Sequence, residues 1–154
     1  MTQAIDIDEI SGCTCRRARR TTRQLTQLYD RALGPARLTA NQFDLLANLY
    51  DVHDKGKPGI SIGALAGRLA MHPTTLNRDL VPLMNEGLVA NGDHPEDRRV
   101  RAVRITAKGR ARLGRAVPHW RKAQRQIEAA LGAQETKRLN ALLDNALAKT
   151  RVSP

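Results

Sequence analysis

Residues 61–89, SIGALAGRLAMHPTTLNRDLVPLMNEGLV, constrain the fold more than any other stretch of the chain. Ile62, Leu65, Ala66 and Leu69 recur at helical spacing behind Ser61, a good N-cap residue. A second apolar stripe, Leu76, Leu80, Leu83 and Met84, follows after only a few residues. Pro73 stands where a first helical residue tolerates proline, and Gly87 marks the end. Two short helices with a tight turn between them predict a helix-turn-helix. Pro82 lies inside the second helix and predicts a kink there, because its ring displaces a backbone hydrogen bond.

What comes next narrows the choice. Residues 88–91 and 101–106 read as strands, with Val103 and Ile105 alternating against Ala102 and Arg104. The intervening GDHPEDRR is turn-rich, so the two strands form a hairpin, and a hairpin directly after a helix-turn-helix is a wing. Its tip combines acids with consecutive arginines, Asp97, Arg98 and Arg99, a pattern that mere solubility does not require. Beside a duplex such a tip has a task. Asp97 pairs with a hairpin arginine to fix the turn, and Arg98 or Arg99 enters the minor groove.

Helices flank this core. Residues 10–33 read as one long helix, with Ala18, Leu25, Leu28 and Ala32 on one stripe and Gly34 and Pro35 as its stop. Thr39 caps a further helix, with Gln42 completing a capping box and Phe43, Leu46, Ala47 and Tyr50 on the apolar side. Asp54 to Gly59 is a loop. Thr106 caps a long helix running to about Leu131, interrupted or kinked near Pro118; Gly132 separates it from a last helix, Ala133 to Lys149. Leu139, Leu142, Leu143 and Leu147 form a stripe for which one small domain offers little cover, so a homodimer is expected through the first and last helices. The fold class is mainly α with a small β-hairpin. The chain reads as one domain, 1–154, with a winged core at about 39–109 and dimerisation helices at about 10–33 and 110–150.

Charge supplies the partner. Twenty-six Lys and Arg face 15 Asp and Glu in 154 residues, a net charge of +11 that points to a polyanion, most often nucleic acid. Aromatic residues make up 3 %, which argues against a single-strand binder that stacks bases on aromatic platforms. The first ten residues are acidic and carry no signal-like apolar run, no stretch reaches the roughly 18 apolar residues of a membrane span, and two cysteines make no disulfide framework. These features predict a cytoplasmic protein without a membrane. His53, His72, His94 and His119 show no ligand spacing, and no catalytic constellation or phosphate loop appears. Neither an enzyme, a metal site nor a cofactor is expected.

The residues in this order resemble the MarR family of winged helix-turn-helix regulators. LAGRLAMHPTTLNRDLVPLMNEGLV followed by DRRVRAVRITAKG is similar to the family's helix-turn-helix and wing, with Asp97, Arg99, Val103, Ile105, Thr106 and Gly109 at the motif positions. The resemblance runs from about residue 10 to 150. It implies a homodimeric regulator, usually a repressor, bound to pseudo-palindromic double-stranded DNA, with a small-molecule effector seated between dimerisation helices and DNA-binding lobes. Tyr29, Tyr50 and Trp120 are the candidate pocket residues. The sequence departs from the pattern at Ala90 and Asn91, where charge is common, and at His72, where the recognition helix is often capped by Asp or Ser.

Carried onto this chain, the resemblance places Thr74, Thr75, Asn77 and Arg78 on the DNA side of the second helix. Arginine suits guanine and asparagine suits adenine, and Arg78 is the leading base reader. Arg68 and Lys108 are candidate phosphate contacts. Arg16, Arg17, Arg19, Arg20 and Arg23 form a basic cluster on the first helix, read as a solvated face of a dimerisation helix rather than a second DNA contact. Cys13 and Cys15 fall near where the organic-hydroperoxide sensors of the family carry a reactive cysteine, and Tyr29 falls about where they carry a tyrosine. Arg19 and Ala40, however, stand at that branch's other tyrosine positions. The flanking arginines favour thiolate, so a redox-switched regulator is one alternative. An effector-independent nucleic-acid-binding module is another.

Overall fold

The structure is a computed structural model, described here over residues 5–94 and 99–150. In chain order it comprises α1 (Ile7–Ser11), α2 (Thr14–Leu33), a 3-10 turn (Gly34–Ala36), α3 (Ala40–Asp54), β1 (Ile60–Ser61), α4 (Ile62–Leu69), α5 (Pro73–Asn85), β2 (Val89–Gly92), β3 (Ala102–Ile105), α6 (Ala107–Leu131) and α7 (Ala133–Lys149). No helix among the described residues is long and apolar enough to cross a membrane.

Side chains at the helix starts do what the sequence predicts. Thr39 and Gln42 form a reciprocal capping box at α3, each side chain accepting the other's backbone N–H at 3.2 and 3.1 Å. Ser61 Oγ accepts from Ala64 N–H at 3.1 Å and opens α4. His72 opens α5 with an imidazole cap, its Nδ1 accepting from Thr74 N–H at 3.2 Å. Pro73 follows as the first helical residue. Between α4 and α5 the chain turns through Ala70 in the left-handed region, φ 51°, a conformation that normally favours glycine.

The wing is larger than a hairpin. β2 and β3 pair antiparallel with Val89 opposite Ile105, and β1 pairs antiparallel with β3, Ile60 opposite Val103. The sheet order is therefore β1-β3-β2. Two-residue β1 is too short to leave a periodic signal. Because β3 is central, Ala102 is buried along with Val103 and Ile105, while Arg104 stays exposed.

The join between wing and α6 rests on Thr106 and Gly109. Thr106 Oγ1 accepts from Gly109 N–H at 3.0 Å and donates to the Gly87 carbonyl at 2.7 Å, while its own N–H reaches the Leu88 carbonyl at 3.0 Å. A Cβ on Gly109 would collide with the Leu88 carbonyl oxygen and with Ile105. A glycine is needed here for close approach, not for an unusual φ.

Three expectations need correction. The long first helix is two helices: Gly12 caps α1, and Cys13, extended at ψ 119°, starts α2. The pair Ser11-Gly12, both poor helix formers, is the local cause. α6 runs continuously through Pro118, so of the interruption or kink expected there the interruption does not occur; one proline removes one hydrogen bond from a helix of 25 residues. α5 holds Pro82 inside it, as the sequence predicts, and extends to Asn85. On α3 the buried residues are Leu45, Leu46, Leu49 and Val52, with Phe43 and Ala47 partly buried against the core, and Tyr50 is 42 % exposed.

Candidate nucleic-acid interface

Leu76, Leu80 and Leu83 of α5 have no exposed surface. At 3.6 residues per turn, seating those three in the core rotates Thr74, Arg78 and Val81 outward, with Thr75 and Asn77 half-buried at the margin. The apolar face thus determines which polar residues a duplex would meet. Arg78 stands well out, its side chain 79 % exposed and only loosely paired with Asp79 at 3.9 Å. Asp79 instead accepts from Asn41 Nδ2 of α3 at 3.0 Å. That bond holds the nearby carboxylate on the α3 side of the helix.

Asn77 is more engaged than its sequence position suggests. Its Nδ2 donates to the Pro73 carbonyl at 3.0 Å, and its Oδ1 accepts from Arg101 at 3.1 Å. Arg101 immediately precedes β3, and neither apolar periodicity nor the turn motif singles it out. The only sequence signal for it is an arginine at the stem of a wing, 24 positions downstream of the residue it contacts.

The remaining candidates divide. Arg99 is exposed near the wing tip; Asp97 and Arg98 lie outside the described residues. Arg68 is occupied by Asp51 at 3.1 Å, and Asp51 also takes Lys55 at 2.8 Å. The hydrogen bond from Lys55, followed by that from Arg68, holds the Asp51 carboxyl below its ordinary range. Lys108 Nζ donates to the Glu86 carbonyl at 2.6 Å and so caps the end of α5. Arg112, only 13 % exposed, reaches the Glu86 carboxylate and the Arg37 carbonyl, each at 3.2 Å. Lys108 and Arg112 together tie the C-terminal end of α5 to α6.

Of the pocket candidates, Tyr29 and Trp120 pack against the hydrophobic core and Tyr50 is exposed. Trp120 stacks on Phe43, centroids 6.1 Å apart and planes within 11°. Tyr29 donates its hydroxyl to Gln124 Oε1 at 2.7 Å, and burial, reinforced by Glu128, raises its pKa. Tyr50 faces His53 at 6.4 Å on the exposed side of α3. One cavity of about 540 Å³ lies instead between α2 and α6, lined by residues including Gln24, Arg31, His119 and Lys122. Cys13 and Cys15 are both exposed free thiols. Backbone hydrogen bonds from Arg16 and then Cys15, with the Arg16 and Arg17 charges behind them, lower the Cys13 thiol pKa. No group of three or more metal-ligating side chains forms among the described residues.

A helix-turn-helix with an exposed arginine on its second helix, backed by a three-stranded wing and flanked by long helices, defines a winged-helix DNA-binding protein. No family model matches the chain, and no curated protein sequence does. Solved structures do. The M. tuberculosis transcriptional regulator MosR, crystallised in complex with DNA, is 38 % identical over 91 % of this chain and 99 % of its own, with a TM-score of 0.74. A variant of E. coli MarR complexed with operator DNA covers 93 % of this chain and 99 % of its own at 23 % identity and TM-score 0.78. Bordetella bronchiseptica BpsR covers 93 % and 96 % at 22 % identity and TM-score 0.75. The chain belongs to the MarR family of DNA-binding transcriptional regulators, a non-enzymatic family.

Proposed function

We propose that this protein is a homodimeric, cytoplasmic repressor that places α5 of each copy in the major groove of a pseudo-palindromic operator and releases it when a small ligand binds. The observation that carries the reading is the exposed Arg78, presented on a helix whose other side is locked into the core by Leu76, Leu80 and Leu83. Arg78 would read guanine. Thr74 and Thr75 would contact backbone at the N-terminal end of α5, and the wing would lay Arg98 or Arg99 along the minor groove with Asp97 setting the turn. Arg68 and Lys108 are weaker phosphate contacts on this reading, since each is already engaged within the fold.

Dimerisation is supported by Leu142, Leu143 and Leu147 of α7, which are 65 %, 50 % and 45 % exposed, with Leu131 and Ile10 also uncovered. A stripe of that size on a monomer calls for cover, and a second copy supplies it symmetrically. The effector proposal draws on BpsR, whose DNA binding is regulated by 6-hydroxynicotinic acid. Tyr29 and Trp120 remain its candidate contacts, with Tyr50, on the exposed side of α3, a weaker one. Selection from a random duplex pool tests the reading. It should return two inverted half-sites about one helical turn apart; a pool that enriches no inverted repeat would contradict it.

One observation favours a second reading, a peroxide switch. Cys13 sits at the start of α2 with its thiol pKa lowered. A Cys13 thiolate attacking an organic hydroperoxide takes one oxygen and releases the alcohol after protonation. The Cys15 thiol then condenses with the sulfenic acid to give a disulfide and water. If peroxide releases DNA from the parent but not from the Cys13→Ser/Cys15→Ser variant, this reading leads; equal release or retention by both removes it.

A further inference from the structure

A carboxamide is nearly symmetric in shape but not in chemistry. Reading adenine with two hydrogen bonds requires the amide oxygen opposite the N6 amino group and the amide nitrogen opposite N7, in that order. A 180° flip sets like against like and removes the preference. On an otherwise free asparagine nothing chooses between the flips. Asn77 is not free: its nitrogen donates to the Pro73 carbonyl at 3.0 Å, and its oxygen accepts from Arg101 at 3.1 Å. A carbonyl can only accept and a guanidinium can only donate, so both partners select the same flip.

Arg101 is itself placed by the fold. Its carbonyl accepts from Ile62 N–H, at the start of α4, at 3.3 Å. The next residue, Ala102, pairs with Ser61 in β1 and with Gly92 in β2. The wing stem is thereby fastened to the helix-turn-helix, and the exposed Arg101 side chain crosses from it to the reading helix.

We propose that Arg101 is a specificity-determining residue that acts through Asn77, orienting its amide so that α5 discriminates an A·T pair. This rests on the reading that α5 enters a duplex major groove. Arg101 gives one of its five N–H donors to Asn77 and carries a full positive charge, so it adds to affinity by charge and to specificity by position. Lysine separates the two contributions. It keeps the charge but lacks the rigid planar fork that reaches Oδ1. Both bonds lie at the surface, and the core does not depend on them.

The test compares the parent, Asn77→Ala, Arg101→Lys and the Arg101→Lys/Asn77→Ala double variant. Each is titrated on the duplex selected by the parent and on duplexes carrying every single base-pair change in one half-site, at several salt concentrations. Asn77→Ala should lose discrimination at one A·T pair by about 5- to 150-fold. Arg101→Lys should lose at least about threefold at that same pair, leave the salt slope unchanged, and add nothing further in the Asn77→Ala background. Arg101→Lys discriminating as well as the parent, or losing discrimination equally in the Asn77→Ala background, would overturn the proposal alone. A parent that selects no duplex sequence would overturn the reading of α5 and this proposal with it.

Discussion

Glycine-to-alanine changes inside helices usually stabilise, by about 0.5–1 kcal/mol, because alanine has less backbone entropy to lose. Two glycines of α6 should respond with opposite sign. At Gly114 an added Cβ meets no atom within 4 Å, so Gly114→Ala should gain that ordinary increment. At Gly109 the Cβ would collide with the Leu88 carbonyl oxygen and Ile105. That carbonyl also accepts Thr106 N–H at 3.0 Å and lies 3.1 Å from the Thr106 hydroxyl. Backing α6 away from Leu88 therefore strains these bonds, worth about 1 kcal/mol each. Overpacking against backbone adds about 1–3 kcal/mol. Set against the helix-propensity gain, Gly109→Ala should destabilise by about 2–4 kcal/mol. Urea unfolding of both variants followed by circular dichroism, at one protein concentration, measures the difference. Equal stabilisation of both would refute the close packing of α6 on Leu88 and Ile105, through which the wing is held.

Further outcomes follow from other parts of the fold. Ala70 holds a left-handed φ of 51° at a cost of about 1–2 kcal/mol, partly offset by the entropy glycine would lose, so Ala70→Gly should raise stability by about 0.5–1 kcal/mol in the same unfolding assay. Leu143→Asp places a charge on the exposed α7 stripe; sedimentation at micromolar concentration should show a dimeric parent and a monomeric variant, with operator binding lost alongside. Arg99→Ala should weaken binding to operator and scrambled duplex alike and flatten the salt dependence by about one phosphate equivalent per wing engaged, read from titrations at several salt concentrations. The Cys13→Ser/Cys15→Ser variant should bind operator as the parent does, in the same titration without peroxide.

Sequence pattern carried the fold where local chemistry decides the outcome. Thr39 with Gln42, Ser61, Pro73, Thr106 and Gly132 each mark a helix boundary by hydrogen-bonding capacity or backbone geometry that travels with the residue itself. It fell short where distant segments decide. β1 is two residues long and exists because β3 offers it a free edge, and Tyr50 lost its place on the core side to Leu45, Leu49 and Val52, which lie closer to the packing direction. The break at Gly12 was within reach, since Ser11-Gly12 is a weak point in any helix. For the site, the outward face of α5 was legible because the leucine stripe fixes its opposite. That Arg68 and Lys108 spend their charges on Asp51 and the Glu86 carbonyl was not, and neither was the contact from Arg101 to Asn77, for these depend on long side chains crossing between elements.

Whether α5 reads a duplex through its exposed face turns on Arg78. Parent and Arg78→Ala should be titrated on the selected operator and on a scrambled duplex of the same length at one salt concentration. Arg78→Ala should lose about 1–3 kcal/mol on the operator, change several-fold less on the scrambled duplex, and relax preference at one base pair in each half-site. An Arg78→Ala protein that binds the operator as tightly as the parent, or that loses affinity equally for both duplexes, would contradict this reading of α5.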